Sequence, residues 1–144
     1  MTPPPGRRLL ATSESVEDTL QLGRDLARRL APDGVLLLSG DLGAGKTVLA
    51  RGVAVGLGVS AGEVQSPTYT LIREHRAPSG ARMVHLDLYR LEPEEVLDLG
   101  LEEVFAGPGV KVVEWAERLP FAPAGALRLE LVREDGARSL WEHP

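Results

Sequence analysis

One glycine-rich segment, Gly40–Thr47, constrains the fold of this chain more than any other part of its sequence. Its residues, GDLGAGKT, match the pattern G-x-x-x-x-G-K-[ST] at every fixed position. The continuous apolar run Val35–Leu38 precedes it and predicts a strand that is covered on both faces. Residues 47–57 follow it and predict a helix that ends before Gly58. Strand, loop and helix in this order are the context of a phosphate-binding P-loop.

The residue types of this segment suit the binding of a nucleotide. Glycines let successive backbone N–H groups point at one anion, and the helix N-terminus adds about half a positive charge there. Lys46 can reach the β- and γ-phosphates, and the Thr47 hydroxyl can ligate Mg²⁺. Lys46 is one of only two lysines in a chain that otherwise uses arginine, which favours a chemical role for it. We therefore expect Gly40–Thr47 to hold the phosphates of ATP with Mg²⁺; a glycine-rich turn with a solvated lysine is the alternative.

Length and composition narrow the class of protein. A chain of 144 residues suits one domain with one core. No apolar run approaches the ~20 residues that span a bilayer, and no apolar stretch of signal-peptide length follows the N-terminal prolines and arginines, so we expect a cytoplasmic protein without membrane contact. The absence of cysteine and the scattered histidines leave oxygen-held Mg²⁺ as the expected metal. The net charge of -5 argues against binding nucleic acid by a general basic face.

The hydrophobic patterns along the chain predict an α/β fold. Strands are predicted at 7–12, 35–38, 70–76, 83–89, 110–114, 127–132 and 138–141, and helices at 16–30, 47–57, 93–99 and 101–105. Segments 70–76 and 83–89 alternate like half-exposed strands, and both this pair and the last two strands are predicted to form hairpins. The fold class is thus a single P-loop NTPase-like domain whose mixed sheet has parallel core strands, antiparallel hairpins and flanking helices. We assign residues 1–12 to a flexible tail with a candidate short strand and residues 13–144 to the domain.

Two acidic residues compete for a role beside Mg²⁺. Asp87 and Glu114 each follow a predicted strand, and phosphoryl transfer calls for an acidic group near the metal at such a position. Either could ligate the metal, directly or through water, and the other could orient the attacking water. A surface carboxylate at a strand end is the alternative for each. His85 is interpreted as a packed or hydrogen-bonded histidine rather than a catalyst.

Three further residues have both a functional and a structural interpretation. Thr68 lies in the segment Ser66–Tyr69, which is either a switch loop ordered by the γ-phosphate or a polar turn before a strand. Trp115 is interpreted as a large apolar anchor in the core or in an interface. Arg138 is either a phosphate contact or a solvated arginine.

Several segments taken together closely resemble the bacterial TsaE (YjeE) family. They are GDLGAGKT at 40–47, SPTYT at 66–70, HLDLYR at 85–90, Leu99-Gly100 with Glu103 in the following helix, and VVEW at 112–115. The resemblance spans about residues 13–115, and it departs at Val48, where the family often has a second threonine.

The resemblance implies an ATPase that is required for threonylcarbamoylation of the adenosine beside the anticodon in tRNAs reading ANN codons. It implies the TsaD–TsaB complex as partner, tRNA contacted only indirectly, and an ATPase that is weak in isolation and stimulated by its partner. At the matching positions it implies phosphate binding by Leu42, Gly43, Ala44, Gly45, Lys46 and Thr47, and Mg²⁺ ligation by Thr47 and Glu114. It also implies a second nucleotide-motif acid at Asp87, a switch-like loop at Thr68, an adenine pocket near Val16 and a site or interface residue at Trp115. Arg138 lies beyond the span of the resemblance and is a candidate nucleotide-binding residue by its residue type alone. Lys46, Thr68, Asp87 and Glu114 are the expected catalytic residues.

Two other functions fit a short P-loop domain. A small-molecule kinase would need a lid that clamps phosphate with basic residues, yet residues 91–105 contain no basic residue. A nucleotide-switched binding module would hydrolyse ATP only incidentally, and it would differ from a partner-stimulated ATPase mainly in the rate of hydrolysis. A GTPase is disfavoured because no N-K-x-D segment occurs.

Overall fold

The computed structural model of the protein describes residues 6–41, 43–64 and 71–144, and these form one seven-stranded sheet with helices on both faces. The strands are β1 (Arg8–Ser13), β2 (Val35–Ser39), β3 (Ile72–Arg76), β4 (Arg82–Asp87), β5 (Val110–Glu114), β6 (Leu127–Glu134) and β7 (Ala137–His143). The helices are α1 (Val16–Leu30), α2 (Lys46–Gly56), α3 (Pro93–Leu97) and α4 (Leu101–Ala106), with short 3-10 turns at Ala61–Glu63 and Ala116–Arg118.

The sheet is mixed, with the strand order β1-β7-β6-β2-β5-β4-β3. Strand β2 pairs in parallel with both β5 and β6, and β4 pairs in parallel with β5. The pairs β3–β4, β6–β7 and β1–β7 are antiparallel. The predicted α/β class, the parallel core strands and both hairpins are therefore confirmed.

Strand β2 contributes to the core on both faces of the sheet, which explains its continuous apolar run. Leu36 and Leu38 pack with residues of α1 and α2, whereas Val35 and Leu37 pack with residues of α3 and α4. Covered on both faces, β2 delivers its carboxyl end directly to the glycine-rich loop.

Helices α1 and α2 approach each other at backbone contact. A Cβ atom built at Gly52 would lie 2.3 Å from the Leu20 carbonyl oxygen, and one built at Gly23 would lie 2.3 Å from the Leu49 carbonyl oxygen. Ser15 is the N-cap of helix α1, and its side chain accepts a hydrogen bond from the Asp18 N–H at 3.0 Å. The beginning of α1 lies beside the beginning of α2, since a Cβ atom at Gly45, the N-cap of α2, would lie 3.8 Å from Thr19 Cγ2.

The structure differs from the sequence prediction in some details. Strand β4 is buried on both faces rather than half-exposed, because it lies between β3 and β5 and its side chains enter both core clusters. The candidate strand near the N-terminus is present, and it runs to Ser13. Helix α3 ends at Leu97, and Gly100, with a φ of 65°, separates it from α4. Every helix among the described residues is too short or too polar to span a bilayer.

Candidate functional site

A cavity of about 540 Å³ lies where the carboxyl ends of the central strands meet the N-terminus of α2. Glu114 pairs in register with Leu38 of β2 on one side and with Asp87 of β4 on the other, so the ends of these strands are adjacent. Nine of the residues predicted from the sequence line this cavity: Val16, Gly43, Gly45, Lys46, Thr47, Asp87, Glu114, Trp115 and Arg138. The volume lies within the range of small-molecule sites.

The backbone of the loop requires glycine at several points. Gly43 and Gly45 have φ values of 81° and 106°, in the region that residues with a Cβ atom seldom adopt. At Gly40 a Cβ atom would lie only 2.4 Å from the Leu131 carbonyl oxygen. Gly45 is also the N-cap of α2 and supplies no side-chain hydrogen bond, so the first amides of the helix lack a side-chain cap. These amides and the helix dipole favour an anion at this point.

The Lys46 side chain is folded back onto the loop. Its Nζ donates hydrogen bonds to the Gly40 carbonyl oxygen at 2.5 Å and to the Asp41 carbonyl oxygen at 3.0 Å. It also lies 4.1 Å from the centroid of the Trp115 ring, in a cation–π contact. Burial lowers the pKa of the Lys46 ammonium below its usual value, and the nearby Glu114 carboxylate opposes this effect. A buried cation is therefore available beside the loop.

Glu114 lies between two hydrogen-bonding side chains. The Thr47 hydroxyl donates to Glu114 Oε1 at 2.9 Å, and His85 Nε2 lies 2.5 Å from Glu114 Oε2. Glu114 and His85 are each only 2% exposed. In an octahedral Mg²⁺ site with ligand distances of about 2.1 Å, neighbouring ligand oxygens are about 3 Å apart. The Thr47 hydroxyl oxygen and the Glu114 carboxylate oxygen have this separation, and oxygen is the ligand atom that Mg²⁺ prefers. These two residues therefore fit Mg²⁺.

Asp87 lies beside this pair and has a different environment. Its Oδ1 accepts a hydrogen bond from the Tyr89 N–H at 3.0 Å. Burial raises the pKa of the Asp87 carboxyl group, the Tyr89 N–H opposes the rise, and the neighbouring Glu114 charge adds to it. The Thr47 hydroxyl thus contacts one of the two acids left open by the sequence, Glu114, while Asp87 is the acid with the raised pKa.

Two aromatic side chains form one side of the cavity. The rings of Tyr89 and Trp115 lie 4.8 Å apart between their centroids. Trp115 has a φ of 59°, a left-handed conformation that costs roughly 1–3 kcal/mol for a residue other than glycine. This backbone conformation directs Trp115 to the cavity, where it contacts Lys46. Trp115 thus lines the cavity and contacts the loop lysine, in addition to packing against its apolar neighbours.

The first and last strands also contribute residues to the cavity wall. Ser13 of β1 pairs in register with Arg138 of β7, and both residues line the cavity. Arg138 Nη2 donates to the Gly43 carbonyl oxygen at 3.3 Å, so its guanidinium group lies against the loop. Val16, at the start of α1, is 63% exposed.

Ala44 is the one described residue among the predicted site residues that does not line the cavity. The Ala44 side chain is buried in the core cluster with α1 and α2, and its N–H donates to the Asp41 carbonyl oxygen at 3.0 Å. Ala44 therefore does not line the cavity, although its place in the loop is as predicted. Leu42 and Thr68 lie outside the described residues, and their roles stay predictions.

Sequence reasoning missed several residues of the cavity wall. Ser13, Thr19, Tyr89 and Gly136 line it without having been singled out as site residues. The Ser13 and Thr19 hydroxyls are 2.7 Å apart, which ties the end of β1 to α1. Tyr89 could have been found from its position two residues after Asp87, whereas no local signal marks Ser13 or Gly136.

Comparison with known proteins identifies relatives over most of the chain. A protein-family model described as "Threonylcarbamoyl adenosine biosynthesis protein TsaE" matches residues 13–140. The tRNA threonylcarbamoyladenosine biosynthesis protein TsaE of a Nostoc species is 45% identical over 126 residues, which cover 83% of this chain and 75% of the relative. The protein of the same name from Bacillus subtilis is 45% identical over 108 residues, covering 72% of this chain and 66% of the relative. The crystal structure of YdiB from Bacillus subtilis superposes with a TM-score of 0.71 at 33% identity, covering 94% of this chain and 85% of that one.

Proposed function

The chain belongs to the TsaE family of threonylcarbamoyl adenosine biosynthesis proteins, and on this basis we propose that it binds and hydrolyses ATP with Mg²⁺. The family acts in tRNA threonylcarbamoyladenosine biosynthesis. In our proposal this chain takes part in that modification in the cytoplasm. We assign the chain to the ATPase step of that process, acting on the TsaD–TsaB complex.

One observation carries the proposal of ATP and Mg²⁺ binding. The Thr47 hydroxyl and the Glu114 carboxylate are 2.9 Å apart beside the glycine-rich loop, and the buried Lys46 ammonium lies in the same cavity. A hydroxyl and a carboxylate suit a hard cation, while an ammonium group and the amides at a helix N-terminus suit phosphate oxygens. The two sets of groups together match the phosphate and metal parts of a magnesium nucleotide.

Each residue then has a distinct role in the proposed hydrolysis. Mg²⁺, when bound, neutralises charge on the β- and γ-phosphates. Lys46 exchanges the carbonyl oxygens of Gly40 and Asp41 for phosphate oxygens, which are stronger acceptors because they are charged. The Asp87 carboxylate orients the attacking water and accepts its proton, a role for which a raised pKa is suited. Water bonds to the γ-phosphorus and the bond to the bridging oxygen breaks, giving ADP and inorganic phosphate.

The remaining residues of the cavity contribute to binding. Val16 at the start of α1 borders the proposed adenine site, and Trp115 packs over Lys46. The Arg138 guanidinium lies against the loop and can add a second positive charge near the phosphates. The overall charge of -5 suits contact with tRNA through the partner complex rather than through this chain. We expect slow hydrolysis by the isolated chain and faster hydrolysis when the partner is added.

The test is ATP hydrolysis by the purified protein, measured as phosphate release with and without the TsaD–TsaB complex. The Lys46→Ala variant removes the loop cation and is expected to lose productive ATP binding and all stimulated hydrolysis. Lys111→Ala is the matched control, because Lys111 is also a buried lysine but does not line the cavity.

The outcomes separate the proposal from its alternatives. Stimulated phosphate release that is lost only in Lys46→Ala supports the ATPase role in the tRNA modification. Phosphate passing to a small acceptor, with no response to TsaD–TsaB, indicates a kinase. Nucleotide-dependent association with TsaD–TsaB without turnover indicates a binding module.

A further inference from the structure

The buried contact between His85 and Glu114 involves a residue that is proposed to ligate Mg²⁺. Both side chains are 2% exposed, and His85 Nε2 lies 2.5 Å from Glu114 Oε2. The other carboxylate oxygen, Oε1, accepts the hydrogen bond from Thr47. The carboxylate is therefore held at both oxygens, on one side by the proposed metal ligand Thr47 and on the other by the imidazole.

The environment of the imidazole ring determines which nitrogen carries the proton. His85 Nδ1 is buried and has no hydrogen-bond partner among the described residues. An N–H at Nδ1 would be a buried donor without an acceptor, which costs roughly 1–3 kcal/mol. A proton on Nε2, in contrast, is donated directly to a carboxylate oxygen at short range. The geometry therefore favours Nε2 as the nitrogen that carries a proton and donates it to Glu114.

We propose that His85 is a positioning residue, which donates from Nε2 to Glu114 Oε2 and so holds Oε1 toward Thr47 in the orientation that ligates Mg²⁺. This inference rests on the proposed function of the same site. Without the imidazole, the carboxylate can rotate about its last side-chain bond, and Oε2 becomes a buried acceptor without a partner. Hydrogen-bonding partners behind a metal ligand typically change metal affinity about 10- to 100-fold when they are removed.

The place of His85 on β4 fits this role. His85 and Asp87 are two residues apart on one strand, so their side chains lie on the same face of the sheet. Glu114 pairs in register with Asp87 on the neighbouring strand, and its carboxylate is within reach of the imidazole on that face. One strand thus supplies both the acid proposed to orient water and the group that orients the metal ligand.

The first experiment observes the imidazole directly in the protein without nucleotide. A long-range ¹H–¹⁵N spectrum of the labelled protein distinguishes the two neutral tautomers and the doubly protonated ring, and the His85 signals are assigned by their loss in His85→Gln. We expect a proton on Nε2, the nitrogen that faces Glu114. A ring whose only proton is on Nδ1 overturns the proposal.

The second experiment measures how strongly Mg²⁺ promotes the binding of a fluorescent ADP analogue. His85→Leu removes the donor, and we expect the Mg²⁺ concentration at half-effect to rise about 10- to 100-fold, with unchanged ADP affinity in the absence of Mg²⁺. The glutamine of His85→Gln can still donate from its amide nitrogen, so the Mg²⁺ concentration at half-effect of this variant should be much closer to the wild-type value. In a Glu114→Ala background, His85→Leu should have little further effect, since the group it orients is gone.

A matched histidine pair elsewhere in the fold provides the control. His143 Nε2 lies 2.9 Å from Glu130 Oε1, and neither residue lines the cavity. His143→Leu should leave the Mg²⁺ dependence as in wild type. Thermal melting of every variant shows that the folded protein is being compared.

A purely structural role for His85 gives a different pattern. His85→Leu would then lower the melting temperature yet leave the Mg²⁺ half-effect unchanged in the folded fraction, and the proposal would be wrong. Failure of the proposed hydrolysis is recognisable separately. If the wild type binds ADP with Mg²⁺ but does not hydrolyse ATP, the ATPase role fails, while the binding comparison still decides the role of His85.

Discussion

Replacing Gly52 with alanine tests how strongly the backbone contact between α1 and α2 maintains the site. The new Cβ atom would lie 2.3 Å from the Leu20 carbonyl oxygen and 3.0 Å from Gly23 Cα. Contacts of this kind are normally no shorter than about 3.4 Å, and both neighbouring groups are backbone that cannot rotate away. The helices must therefore move apart by about 1 Å.

The expected cost follows from two opposing effects. Overpacking of this kind destabilises a protein by about 1–3 kcal/mol, and a rigid backbone neighbour places Gly52→Ala near the upper end. Alanine regains about 1 kcal/mol through its higher helix propensity. The net loss in the free energy of unfolding is then about 1–2 kcal/mol, or a fall of about 3–8 °C in melting temperature for a protein of this size.

Urea unfolding followed by circular dichroism measures this loss, with Gly62→Ala as the matched control. A Cβ atom at Gly62 would meet no atom of the described residues within 4 Å, so this variant should be as stable as wild type or more stable by up to about 1 kcal/mol. Helix α1 carries Val16 and Thr19 of the cavity wall, so we also expect weaker ADP binding by Gly52→Ala. If Gly52→Ala is as stable as Gly62→Ala, the reasoning from the close helix contact is refuted.

Three further predictions concern the cavity. Glu114→Ala should keep nucleotide binding in a fluorescence titration but lose phosphate release, and normal turnover would contradict its assignment as a metal ligand. Asp87→Asn should raise the free energy of unfolding of the nucleotide-free protein at pH 7, because the ionised Asp87 carboxylate is less stable in the folded protein than in the unfolded chain. This gain should shrink as the pH falls from the raised pKa of folded Asp87 toward the ordinary value of 3.8, because the wild-type carboxyl group is then protonated in the folded protein. A gain that is independent of pH in urea titrations would exclude this origin. In a Trp141→Phe background, MgATP should change the fluorescence of Trp115 as Lys46 leaves its ring, and Lys46→Ala should abolish that response.

The phosphate loop and the elements around it could be predicted from the sequence because their signals are local. The segment Gly40–Thr47 carries its own pattern, and the apolar run before it reports burial on both faces directly. The two hairpins follow from alternating residues on either side of short turns. These features depend on residues that are close together in the sequence, so the sequence of a single chain is sufficient to predict them.

The assignment of the two acids could not be completed from the sequence because it depends on long-range placement. Asp87 and Glu114 both follow strands, and the strands are neighbours in parallel register. Only the position of α2 brings the Thr47 hydroxyl to Glu114 rather than to Asp87. The same holds for His85, whose alternating position indicates burial but does not identify Glu114 as its partner.

The pairing of β1 with β7 determines the order in which the site can be completed during folding. Arg8 and Glu142 form an ion pair across these strands although 134 residues separate them in sequence. Closing so long a loop is slow, because its entropy cost precedes the contacts that stabilise it. During synthesis on the ribosome, β1 can pair only after residues 137–143 have been made. The part of the cavity wall that Ser13 and Arg138 form together is therefore completed last. The glycine-rich loop is thus synthesised early. The nucleotide proposed to bind there can be enclosed, and can stabilise the protein, only after the last strand has docked.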